Sequence, residues 1–265
     1  MSTADILVLL LLVAGAAASA RWKKLTPAAA LTGVGIGWAI YAGTGWLGLL
    51  LLAVFFITGT AATSWKKKAK LLIRGSAAHE PTRTPGQVIA NAGVAALMGG
   101  CAFFRPSQAP LFLLMLAASL ASATADTLSS ELGMVYGRRC YNILTWKKDE
   151  RGLDGVISIE GLFIGAAGSA LIAAVYGLWT GIRTTPPHHP GLSAHSLATH
   201  FPSLPAHSLP PQLIIITLAG IAGNLADSLL GALLERRGYI SNNTVNFLNT
   251  LIAAIFAGAC AGFHS

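Results

Sequence analysis

Eight stretches of this chain are apolar for long enough to cross a bilayer, at residues 4–20, 27–43, 46–64, 87–104, 110–129, 156–179, 213–234 and 245–263. A hydrocarbon core takes roughly 20 residues of helix. A lipid-exposed segment must satisfy its own backbone hydrogen bonds, and a helix does so within itself. Only 11% of the 265 residues are charged, too few to cover a soluble globule of this size, and 54% are hydrophobic, too many for a disordered chain. The expected fold is therefore all-α: one polytopic transmembrane bundle of about eight spans, a single integral membrane domain over residues 1–265. Small residues run through the spans, as at Gly33, Gly35 and Gly37 and at Gly161, Gly165 and Gly168. They let membrane helices pack closely.

The positive charges fix an orientation. Arg21, Lys23 and Lys24 occupy the first loop, and Lys66, Lys67, Lys68, Lys70, Arg74 and Arg83 the third. Arg138, Arg139, Lys147, Lys148 and Arg151 occupy the fifth, and Arg236 and Arg237 the seventh. Sixteen of the eighteen Lys and Arg thus lie in odd loops, leaving only Arg105 and Arg183 in even ones. Cytoplasmic loops carry the excess of Lys and Arg, so the odd loops are expected in the cytoplasm and both termini outside. An inner or plasma membrane of a prokaryote is the expected location. Ala18-Ser19-Ala20 looks like a signal cleavage site, but Asp5 precedes the first apolar run and the positives follow it, which suits a retained helix. The clustering of the net charge of +8 points to membrane orientation and not to a nucleic-acid partner.

The sixth loop, at about 180–212, is rich in Pro, Ser and Thr and carries His188, His189, His195, His200 and His207. It reads as a flexible outer linker, since its histidine spacing matches no defined metal site. Cys101, Cys140 and Cys260 form neither a CxxC pair nor an even set.

Ionisable side chains inside a membrane are costly and mark function by default. Four acids lie in or at the ends of the spans: Asp126 and Glu131 close span 5, Glu160 opens span 6, and Asp227 lies in span 7. The topology from Lys and Arg puts all four at the cytoplasmic side, together with Asn91 and Asn246 near the starts of spans 4 and 8. Gathered carboxylates repel unless cations stand nearby. Mg²⁺, which favours sites shared with substrate phosphates, and the bases of loop 5 supply the two compensations. Acids for a metal beside bases for phosphate is what phosphoryl transfer needs. Ala125-Asp126-Thr127-Leu128 also aligns with Ala226-Asp227-Ser228-Leu229, 101 residues on. This suggests a pseudo-twofold repeat of spans 5–6 and 7–8. No P-loop, GxSxG or HExxH motif occurs.

The same residues carry a resemblance. Ser122-Ala-Thr-Ala-Asp126-Thr-Leu-Ser-Ser-Glu131-Leu-Gly133, continuing through Tyr136-Gly137, is similar to a membrane family catalogued as a domain of unknown function. That family includes the plant phytyl-phosphate kinase of vitamin E (tocopherol) synthesis. Arg151-Gly152-Leu-Asp154-Gly155-Val-Ile-Ser158-Ile-Glu160-Gly161 resembles the family's Arg-Gly-Thr-Glu-Gly…Ser-x-Glu-Gly segment. Asp227-Ser228-x-x-Gly231-Ala232, Asn242-Asn243-Thr-Val-Asn246, Lys24-Leu25-Thr26 and Arg83-x-x-x-Gln87-Val-Ile-Ala-Asn91 also match. Leu153 and Thr244 depart from the pattern, standing where the family has Thr and an acidic residue. The resemblance implies a kinase that converts an isoprenyl monophosphate such as phytyl phosphate to the diphosphate, with CTP or ATP as donor and Mg²⁺ as cofactor. It implies that Asp126, Glu131 and Asp227 hold the metal. Arg138, Arg139, Lys147, Lys148 and Arg151 would bind donor phosphates, and Asn91, Asn246 and Ser130 would orient the acceptor. Arg83, Asn243 and Glu160 join the expected site through the motifs that contain them. The competing reading of the same residues is a transporter or lipid carrier that uses the carboxylates for ion coupling.

Overall fold

The computed structural model describes residues 2–74, 82–184 and 209–262. The five loop-6 histidines lie outside the described residues. Long helices dominate: α1 (Thr3–Arg21), α2 (Pro27–Ser64), the short α3 (Lys67–Arg74), α4 (Pro85–Phe104), α5 (Ala109–Tyr136), α6 (Ile159–Thr184), α7 (Leu209–Leu230) and α8 (Asn242–Gly262). Among the described residues seven helices are long and apolar enough to cross a membrane.

One of those seven is two passes. A straight helix of 38 residues would run about 57 Å. The two ends of α2 instead lie at the same end of the bundle. Lys24, three residues before α2, donates from Nζ to Ser64 Oγ at 2.8 Å, at its last residue. Gly45 makes the reversal, with φ 64° and ψ −149° inside α2. That is a conformation open to glycine and strained for other residues. The two arms match the expected spans 27–43 and 46–64, so the chain makes eight passes and residues 2 and 262 lie at the same end.

Helix starts are marked locally. Thr26 caps α2 and Thr84 caps α4, each followed by Pro at the first helical position, and Gln87 closes a capping box with Thr84. Backbone hydrogen bonds Thr26 N→Arg83 O and Arg83 N→Lys24 O, both 3.0 Å, tie these two starts together.

α5 is the axis of the bundle, touched by α2, α4, α6, α7 and α8. Residues 116–125 of α5 are all buried, and most are Ala, Ser or Thr. Small side chains let five helices close around one. Asp126 and Glu131 therefore continue a helix that faces protein all round, which is how two acids are tolerated in an apolar span. α1 is peripheral, with Val8 its one buried residue. Exposed Trp22, Trp65 and Tyr136 ring the basic end, and Phe103 and Phe104 are exposed at the other. Such aromatic belts mark membrane–water interfaces.

Two expected span ends shift, and the fifth loop carries an element that counting its charges does not reveal. It holds a short antiparallel hairpin, β1 (Cys140–Asn142) with β2 (Val156–Ser158), at one end of the helical bundle. Span 6 consequently begins at Ile159 and not at residue 156, because Val156-Ile157-Ser158 pairs with β1. Span 5 continues past residue 129 to Tyr136.

Candidate functional site

A cavity of about 880 Å³ opens at the basic end of the bundle. Its walls come from the end of α2, the end of α3, the starts of α4 and α8, the ends of α5 and α7, and the loop-5 hairpin. α7 leaves its regular course as a π-helical turn, Gly231–Glu235, at the cavity rim. π-bulges of this kind occur frequently at functional sites.

The carboxyls of Asp126 on α5 and Asp227 on α7 face each other within hydrogen-bonding reach on the cavity wall. These are the two acids that the Ala-Asp-x-Leu match aligns. A hydrogen-bonded chain behind Asp227 sets its orientation. Asn249 Nδ2 donates to Asp227 Oδ1 at 2.7 Å, and Ser122 Oγ donates to Asn249 Oδ1 at 3.1 Å. Asn249 is fully buried, and with both ends of its amide engaged it has no freedom to flip. Two acids in contact repel unless a proton or a cation lies between them.

Glu131 does not join this pair. Its Oε2 lies 2.6 Å from Lys70 Nζ, and Lys70 also donates to the carbonyls of Ala62 and Thr63 at 2.8 and 2.9 Å. The expected trio of metal-facing carboxylates is thus two aspartates, with Glu131 on the same wall but ion-paired. Among the described residues no group of three or more His, Cys, Asp or Glu is placed to hold a metal ion. Mg²⁺ bound through one or two carboxylates and substrate phosphates fits the aspartate pair.

Of the other expected residues, Arg83, Asn91, Ser130, Arg151, Asn243 and Asn246 line the cavity. The Arg83 guanidinium is stacked 5.7 and 5.8 Å from the ring centres of Phe55 and Phe56. Burial lowers its pKa and the nearby Glu131 carboxylate opposes that shift. Asn91 Nδ2 donates to Gln87 O at 2.9 Å, and Ser130 Oγ to Thr127 O at 3.2 Å. Arg151 donates to the carbonyls of Met134 and Gly137, closing the C-terminal end of α5. Arg138, Arg139, Lys147 and Lys148 are exposed and are not among the wall residues; neither is Glu160. The Glu160 carboxylate accepts from the Arg138 backbone N–H at 3.3 Å in the first turn of α6. This is a helix-start role favoured by the helix dipole.

The cavity also has wall residues outside the expected site. Lys24, Asp154, Asn224 and Glu235 line it. Asn224 had a legible signal, a buried amide in an apolar span three residues from Asp227. Asp154 arrives with the loop-5 hairpin. The wall carries six acids, Asp126, Glu131, Glu150, Asp154, Asp227 and Glu235, against the bases Lys24, Arg83 and Arg151. The remainder is largely Ser, Thr, Asn and Gln.

Two contacts dock the hairpin over this cavity. Arg236 Nη1 lies 2.6 Å from Asp149 Oδ2, and this hydrogen bond is the main reason the Asp149 carboxyl is held down at about 2. Gly155, at φ +75°, lies against the π-turn, where an added Cβ would fall 2.2 Å from the Cβ of Ala232. Gly155→Ala is therefore expected to lift the hairpin from α7. Strain of about 1–3 kcal/mol attends a non-glycine residue at such a position, and the steric clash adds to it. Faster proteolysis or amide exchange within 140–158, with the helices unchanged, is the expected readout. Equal protection in variant and wild type would show that the contact does not hold the loop.

Comparison with known proteins identifies the architecture's relatives. The profile of the integral membrane protein DUF92 family matches residues 9–254. A membrane protein of Methanocaldococcus jannaschii is 34% identical over 211 residues, 78% of this chain and 73% of its own. A membrane protein of Synechocystis is 30% identical over 248 residues, 91% of this chain and 84% of its own. The chloroplastic protein VTE6 of Arabidopsis thaliana is 30% identical over 231 residues, which cover 83% of this chain but 59% of VTE6. No solved structure matches. With an archaeal, a cyanobacterial and a plastid relative, the family is not confined to prokaryotes. Eight apolar passes, motifs from end to end and a match over residues 9–254 lead to one conclusion: the chain is a member of the DUF92 family of integral membrane proteins.

Proposed function

We propose that this protein is a membrane-embedded kinase that transfers the terminal phosphoryl group of a nucleoside triphosphate to an isoprenyl monophosphate. Phytyl phosphate represents the acceptor class and CTP or ATP the donor. The observation that carries the reading is the Asp126–Asp227 pair on the wall of a polar cavity at the basic end of the bundle. A lipid phosphate keeps its tail in the bilayer and its head at the interface, and a cavity at that depth is where it meets a water-soluble nucleotide. The positive-inside distribution supports a cytoplasmic position for this end.

In this reading Asp126 and Asp227 hold Mg²⁺, which neutralises charge on the transferring phosphoryl group. Asn249 and Ser122 keep Asp227 turned toward the cavity. Lys24 and Arg83 face the phosphates, while Asn91, Asn243 and Asn246 offer hydrogen bonds to the acceptor or the ribose. An oxygen of the acceptor monophosphate attacks the γ-phosphorus. The bond from that phosphorus to the β–γ bridging oxygen breaks, and nucleoside diphosphate leaves. The acceptor is already an anion at neutral pH, so no general base is needed, and positioning with charge neutralisation supplies the catalysis.

The test is purified full-length protein in detergent with Mg²⁺, labelled CTP or ATP and a series of prenyl monophosphates. Prenyl diphosphate should form only with donor, acceptor and metal together. No donor consumption with any acceptor, with prenyl-phosphate counterflow in liposomes instead, would assign the cavity to a carrier.

A further inference from the structure

The short helix α3 is not one of the membrane-spanning helices, yet it is placed with care. It follows Trp65, whose Nε1 donates to Tyr136 Oη at 2.9 Å, and Lys66, whose ammonium lies 5.2 Å from the Tyr136 ring centre. Half-exposed Trp65 and Tyr136 belong to the aromatic ring that marks the interface at the basic end. α3 therefore starts at headgroup level.

Its sequence, Lys67-Lys68-Ala69-Lys70-Leu71-Leu72-Ile73-Arg74, contains no acid. Lys70 points inward, buried on Glu131 and on two carbonyls of α2. At 100° per residue, Leu72 stands about 160° around the helix from Lys70, and it is 88% exposed. Lys67 and Lys68 are exposed as well, and Lys68, four residues before Leu72, stands about 40° from it on the same outer face. An uncovered leucine beside an exposed lysine at interface depth suits a helix lying in the membrane plane, the leucine at the acyl boundary and the ammonium groups reaching among the headgroups.

We propose that α3 is a docking surface for anionic phospholipid headgroups of the leaflet at the basic end. Charge complementarity selects the occupant: Lys66, Lys67 and Lys68 are exposed together with no acid in the helix to neutralise them. A zwitterionic headgroup offers no net charge to three adjacent ammonium groups. The same helix pairs Lys70 with Glu131 of the cavity wall and lines that wall with Ile73. A headgroup on its outer side thus holds in place the helix that pairs Glu131.

The experiment measures phospholipid retained by the full-length protein. Wild type, Lys67→Gln/Lys68→Gln and Lys147→Gln/Lys148→Gln are extracted from liposomes of equal phosphatidylcholine and phosphatidylglycerol, and bound lipid is counted by native mass spectrometry. Wild type should retain phosphatidylglycerol in preference. Each lysine near an anionic surface is worth about fivefold in affinity, so the α3 pair should lose up to about twenty-five-fold of that preference. The loop-5 pair, an equal charge change at the same end, should keep most of it. No preference in wild type, or an equal loss in both variants, would overturn the assignment to α3. A melting curve in phosphatidylcholine alone, unchanged for the α3 pair, separates lost binding from lost folding. A lowered melt there would show that the two lysines serve the fold and not a lipid. None of these readouts involves nucleotide, so the result stands apart from the kinase assay.

Discussion

Asp126→Asn is expected to reduce prenyl-phosphate-dependent nucleotide turnover by about a hundred- to a thousandfold, the scale on which a single preorganised electrostatic group acts. The fold should survive, because Asn has the same shape and removes a charge from a site where Asp126 and Asp227 face each other. Asp227→Asn should lose as much activity. Its side-chain carbonyl can still accept from Asn249, whose amide donates 2.7 Å away. Two groups acting on one cation work as a unit, so the double variant should be little worse than either single one. Raised Mg²⁺ should partly restore the single variants if the pair grips the metal. Detergent-solubilised melting curves provide the control. Wild-type activity in Asp126→Asn would remove the aspartate pair from the chemistry. Loss of both melting and activity would make the pair a packing feature.

The bundle was legible because apolar runs of membrane length admit few other folds. Even the reversal inside α2 was readable, since residues 27–64 are too long for one pass and Gly45 interrupts them. The clustering of polar groups at one end was also readable. Lys and Arg set the topology, and the positions of Asp126, Glu131 and Asp227 then followed from span direction alone. The cavity confirms that shared end, with Asp126, Glu131 and Asp227 on a single wall system.

The losses have two physical causes. The first is that counting charges by loop tells the side of the membrane and nothing about direction. Lys147 and Lys148 lie on the correct end and project away from the wall, whereas Arg151, three residues on, turns back onto the end of α5. The second is that pairings far apart in sequence leave no local pattern. Lys70 reads as one more lysine in a topological run, yet it crosses 61 residues to reach Glu131. The β hairpin was hidden because strands of three residues give no measurable alternation, and Val156-Ile157 looked like the beginning of span 6. Asn249, like Asn224, was a missed group with an available signal. A buried amide in an apolar helix asks for a partner, and Asp227 is that partner.

Lys70→Met should be the most damaging single change to stability. Lys70 and Glu131 are 2.6 Å apart with side chains only 8% and 9% exposed. Removing one partner of a buried pair costs about 3–5 kcal/mol, because the other charge stays in a place built for a cation. Two α2 carbonyls lose their donor as well. Glu131→Gln should cost less, since an amide oxygen can still accept from the ammonium. The informative variant is the double one, Lys70→Met with Glu131→Leu. Replacing both members of a buried pair by apolar groups is often close to neutral, so it should recover most of the melting temperature lost by Lys70→Met. Recovery would identify an uncompensated carboxylate as the source of the damage. Failure to recover would place the damage in the lost capping of α2. A wild-type melting point in Lys70→Met would show that water reaches the pair and that α3 is not latched to the bundle through it.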